Sequence, residues 1–135
     1  MKHTFLACLL ILCTQFSFAQ EKKYQLSTPI LNISEGIPAA DVTIKLERMD
    51  SDSNMWLFMS EKKTMESGRV NDFLGADNNN NGIYKLTFFV SDYFKKENKE
   101  TFYPSIEVVF QIKDDADYHV PITLSAFGYS TYRGS

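Results

Sequence analysis

The chain has 135 residues, enough for one domain and too few for two ordinary ones. Its 44% hydrophobic and 14% aromatic content excludes a disordered chain, because that much apolar surface drives burial. A formal charge of −3, from 14 basic and 17 acidic residues, gives no broad cationic field, so no nucleic-acid partner is expected.

The first element is a targeting segment. Lys2 and His3 make a positive start, an apolar run from Phe5 to Cys13 follows, and a more polar stretch leads to Ser17-Phe18-Ala19. Small residues at 17 and 19 place a cleavage point after Ala19. The apolar run falls short of the roughly 20 residues that a membrane helix needs, so residues 1–19 read as a removed signal peptide. One domain, residues 20–135, then remains, exported to the periplasm or outside the cell and with no expected membrane contact. Cys8, Cys13 and His3 leave with the signal. Disulfides, thiol nucleophiles and Cys/His zinc sites go with them, and any imidazole chemistry rests on His119 alone. Without cystines the domain must be held by its own core, by self-association, or by both.

The rest of the chain reads as strands. Candidates run over 25–31, 41–47, 55–59, 83–90, 106–113, 121–125 and 129–132. The second is the clearest: Val42, Ile44 and Leu46 alternate with Thr43, Lys45 and Glu47, the period of a half-buried strand. Tyr84, Leu86 and Phe88 oppose Lys85 and Thr87 in the same way. Ile106, Val108, Phe110 and Ile112 oppose Glu107, Val109, Gln111 and Lys113. Turn residues at 34–38, 50–54 and 78–82 separate the strands. One segment departs from this period: residues 91–98 suit a short solvated helix with Ser91 as its N-cap. Seven or eight strands and one short helix in a chain of this length predict an all-β, two-sheet antiparallel sandwich.

Two acidic or amide-rich loops invite a metal reading. Asp77, Asn79 and Asn81 match the opening of a calcium loop, but Phe88 stands where the bidentate acid belongs, so the segment reads as a turn. Asp114, Asp115 and Asp117 likewise read as turn formers. No metal site is expected.

Several motifs point together to one family. Residues 26–32 (LSTPILN), 36–42 (GIPAADV), 102–108 (FYPSIEV), 118–121 (YHVP) and 124–135 (LSAFGYSTYRGS) run in order along the domain, and the chain resembles the 5-hydroxyisourate hydrolases, transthyretin-related enzymes of urate breakdown. The terminal Tyr132-Arg133-Gly134-Ser135 is the most specific of them. The resemblance implies a transthyretin-like sandwich, a homotetramer with sites where dimers meet, and cofactor-free hydrolytic opening of a small cyclic ureide. It implies that Arg69, in the Gly68-Arg69 pair, holds an anionic ring and favours charge developing on a carbonyl. His119 would orient or deprotonate water. Tyr132, Arg133 and Ser135 would line the site, Ser135 bringing both a hydroxyl and the chain-end carboxylate.

The chain departs from the family at three places. Pro29 stands where the hydrolases carry a histidine after Ser-Thr, Asp117 stands where another histidine precedes Tyr-His-Val-Pro, and Val70-Asn-Asp-Phe73 replaces a polar turn. Proline neither gives nor takes a proton. Two readings therefore stand open: a hydrolase working from His119 and Arg69, or a transthyretin-like binding protein that has lost catalysis.

Overall fold

The structure, a computed structural model, describes residues 23–135. The leader and its cleavage point at Ala19 lie outside the described residues. Ten strands and one helix follow in chain order: β1 (Leu26–Asn32), β2 (Ile37–Pro38), β3 (Thr43–Met49), β4 (Trp56–Lys63), β5 (Arg69–Val70), β6 (Gly82–Phe88), α1 (Val90–Lys96), β7 (Ile106–Ile112), β8 (Tyr118–His119), β9 (Ile122–Ser125) and β10 (Gly128–Thr131).

The strands form two sheets. One runs β4-β3-β6-β7 and is antiparallel throughout. The other is built on β1: β10-β9-β1-β2 along its path, with β5 and β8 also pairing β1. Period-two alternation explains the packing. Ile44 and Leu46 of β3, Tyr84, Leu86 and Phe88 of β6, and Ile106 and Ile112 of β7 are all buried. They share the core with Leu26, Ile30, Ile122 and Leu124 of the β1 sheet. Each such side chain contributes about 1.5–3 kcal/mol by leaving water, which sets both faces. The all-β sandwich is as the alternation predicts.

Helix α1 starts one residue before its expected cap. Val90, Tyr93 and Phe94 are its buried residues, at the i, i+3, i+4 spacing of a helix lying on the core. The N-cap is Phe89, which makes no side-chain cap hydrogen bond, so burial of Val90 sets the start where Ser91 had been expected to. Tyr93 is tied to the other sheet by a 3.0 Å hydrogen bond that its hydroxyl accepts from Asn32 Nδ2.

The amide-rich and acidic loops are structural. Buried Asn80 donates from Nδ2 to Gln25 Oε1 at 2.8 Å and to Gly75 O at 2.9 Å. Gln25 Nε2 in turn donates to Asp114 O at 2.7 Å and Ala116 O at 3.0 Å. Asp114 Oδ1 accepts from Ala116 N and the Tyr118 hydroxyl, both at 3.0 Å. These bonds lash the turn before β8 to the start of β1. Among the described residues no group of three His, Cys, Asp or Glu side chains is arranged to hold a metal ion.

Candidate active site

The site spans the outer face of the β1 sheet and the neighbouring edge where β7 of the other sheet comes alongside it. Along β1 the inward set, Leu26, Thr28, Ile30 and Asn32, is buried, which turns Ser27, Pro29 and Leu31 outward. On the neighbouring β8–β9 segment Tyr118, Val120, Ile122 and Leu124 are buried, so His119, Pro121 and Thr123 face the same way.

β8 and β9 are one strand interrupted. Ser27 pairs with His119 and Ile30 with Ile122, in the same parallel register. The ladder breaks between them, where Pro121 has no amide hydrogen to give. Pro29 lies opposite that gap and pairs on its other side with Arg69 of β5. The two prolines therefore face each other across the floor of the site.

Arg69 is placed by a glycine. Gly68 holds a left-handed φ of 73°, and a Cβ there would lie 2.6 Å from Ile30 O and 2.9 Å from Pro38 Cβ. Only glycine fits that approach, and it lets Gly68 O accept from Ile30 N at 2.8 Å. β5 is thus pinned to β1, and the Arg69 side chain emerges beside Pro29.

The C-terminal tail closes the other side. Gly134 N donates to His119 O at 2.9 Å, making a bridge between the tail and β8. The Arg133 guanidinium lies over the Tyr118 ring, 4.5 Å from its centre. Tyr132 is 60% exposed, so its phenol is available to a ligand.

Two adjoining hollows result. One, of about 210 Å³, is lined in part by Pro29, Arg69, Pro121 and Tyr132. The other, of about 400 Å³, is lined in part by His119, Tyr132 and Arg133, together with Tyr118 and with Phe110 of β7. Tyr132 lines both. Four of the five expected residues are thereby gathered, with the two arginines in different hollows. Ser135 stands exposed one residue beyond the Gly134–His119 bridge and lines neither hollow.

No local signal in the sequence marks Ser27, whose buried hydroxyl bonds to His119 Nδ1. The two residues are 92 apart, and no local period reports so distant a pairing.

The two-sheet sandwich brings a histidine, an arginine and a tyrosine to adjacent hollows, groups suited to acid–base chemistry. The HIUase/Transthyretin family model matches residues 26–134, and the chain belongs to that family. It is 43% identical over 112 residues to a Caenorhabditis elegans protein named as a probable 5-hydroxyisourate hydrolase, covering 82% of this chain and 81% of that one. The 5-hydroxyisourate hydrolase of Mus musculus is 37% identical over 111 residues, covering 82% of this chain and 94% of the mouse protein. Among solved structures, sea bream transthyretin in complex with thyroxine superposes with a TM-score of 0.76 at 24% identity, over 82% of this chain and 94% of that one.

Proposed function

We propose that this chain is a 5-hydroxyisourate hydrolase, exported and working as a homotetramer. The observation that carries the reading is that Tyr132 lines both the Arg69 hollow and the His119 hollow. The curated relatives named for this activity support it.

The chemistry follows from the groups present. An anionic cyclic ureide sits with its ring against Pro29 and Pro121 and its charge toward Arg69. His119 takes a proton from water as the oxygen attacks a ring carbonyl. Arg69 and the Tyr132 hydroxyl stabilise the oxyanion that forms. The carbon–nitrogen bond then breaks, and the proton held by His119 passes to the departing nitrogen. One water is consumed, and no redox change occurs. The product is 2-oxo-4-hydroxy-4-carboxy-5-ureidoimidazoline.

The open edges support self-association. β7 and β10 each end a sheet and border the His119 hollow, so a second copy would complete its wall. Pro29 leaves the floor without a second imidazole, which predicts a slower enzyme rather than a different reaction.

The test is a coupled assay in which urate oxidase generates hydroxyisourate and its ultraviolet absorbance is followed. Micromolar protein should speed the decay, and His119→Ala should remove the acceleration. A decay no faster than the spontaneous one would leave the binding-protein reading in its place.

A further inference from the structure

Ser27 contacts the one imidazole in the site, yet the chemistry above gives it nothing to do. It is 7% exposed, and its Oγ is hydrogen-bonded to His119 Nδ1. The backbones of both residues are held. Val120 N donates to Ser27 O at 3.0 Å, Tyr118 N donates to Gln25 O at 2.8 Å, and Gly134 N donates to His119 O at 2.9 Å. With Nδ1 engaged inside the protein, Nε2 is the nitrogen left for the hollow that His119 lines.

We propose that Ser27 is a positioning residue for His119, fixing the proton on Nδ1 so that the Nε2 lone pair faces the hollow as the base. The kinetic part rests on the hydrolase reading; the tautomer does not. A neutral imidazole carries one N–H and one acceptor nitrogen. When Nδ1–H donates to Ser27 Oγ, Nε2 takes the proton from the attacking water. The imidazolium so formed keeps the same Nδ1–H···Oγ bond. Nε2 then gives its proton to the departing ring nitrogen, and neutral His119 returns to the starting tautomer. Ser27 neither gains nor loses a proton in the cycle.

The arrangement also bears on Pro29. Ser27 and Pro29 share the outward face of β1, two residues apart. With no protonatable side chain at Pro29, Ser27 is the residue of that face that bonds to the imidazole.

The experiment is nitrogen-15 NMR of the full chain, with His119→Gln identifying which of the two histidines in the chain is read. The wild type should show Nδ1 protonated, and Ser27→Ala should shift the ring toward the Nε2–H tautomer. In the coupled assay Ser27→Ala should lower kcat about 10–100-fold with little change in KM, by analogy with the loss of partners that orient metal-binding imidazoles. Ser27→Thr keeps the hydroxyl and should restore the tautomer and most of the rate. An unchanged tautomer in Ser27→Ala would overturn the proposal, as would a Ser27→Thr variant no better than Ser27→Ala. If the wild type fails to hydrolyse hydroxyisourate, the hydrolase reading falls while the NMR still decides the role of Ser27.

Discussion

Gly134 packs against His119 so closely that no side chain fits between them. A Cβ at 134 would sit 2.9 Å from His119 Cβ and 3.2 Å from Pro121 Cγ. Its amide already donates to His119 O, so the tail and the imidazole are positioned as one unit. Gly134 is not among the glycines with positive φ, and alanine is conformationally allowed there. The contact alone is at stake. Gly134→Ala should push the tail off β8 and lower kcat/KM about 100-fold, the cost of misplacing catalytic groups by about 1 Å. Thermal unfolding should change little, because the tail lies outside the core. A variant with wild-type kinetics would show that the tail does not set the site.

The two arginines should behave differently. Arg69 stands with Pro29 and Tyr132 where the ring is expected, so Arg69→Ala should cost about 10²–10³ in kcat, as for loss of an oxyanion donor. Arg133 is engaged with the Tyr118 ring, a contact of about 0.5–1 kcal/mol at an exposed site. Arg133→Ala should therefore slow the enzyme only about 2–5-fold, through a looser tail. Equal losses in the two variants would mean that Arg133 also grips the substrate.

Replacing Pro29 offers a gain of function. It is half-buried in the wall of the Arg69 hollow, and its strand conformation suits other residues. Pro29→His would add an imidazole beside Arg69 and Tyr132. If a second proton carrier is what the floor lacks, the rate should rise by up to about 10²–10⁴, the usual yield of general acid–base catalysis. An unchanged rate would show that another group already fills that role.

An acid-side stability difference should trace to Asp41. Hydrogen bonds from Lys96 and then Lys63 hold its carboxyl below the ordinary value of 3.8. A depressed carboxylate stabilises the fold above its unfolded value, and that contribution fades as pH falls through the folded value. Asp41 has a φ of 59°, which asparagine tolerates, so Asp41→Asn removes the charge with the backbone undisturbed. Melting curves should place the variant slightly below the wild type at neutral pH. The two should converge well below pH 3.8, and added salt should shrink the gap. A gap that persists in acid would assign it to something other than this charge.

Much of the sandwich was legible in the sequence for a local reason. Apolar residues alternate at 44 and 46 in β3 and at 84, 86 and 88 in β6, and one face of a strand must leave water, so these positions identify themselves. β5 and β8 are two residues each, too short to show any period, yet they hold Arg69 and His119. Those residues were found by motif resemblance. Ser27 stayed without a role because its hydroxyl finds its partner 92 positions away.

Composition and alternation were enough to settle an all-β domain with no cysteine and a single histidine past the first twenty residues. Those properties follow from residue identity and from burial one strand at a time. The gathering of Ser27, Arg69, His119 and Tyr132 on one sheet face was decided only by tertiary structure. β1 is the shared cause: it pairs with β5 and with the interrupted β8–β9 strand, while the tail bridges back to His119. Strand register between distant segments is a property of the folded sheet, set when long-range pairs bury their inward faces together.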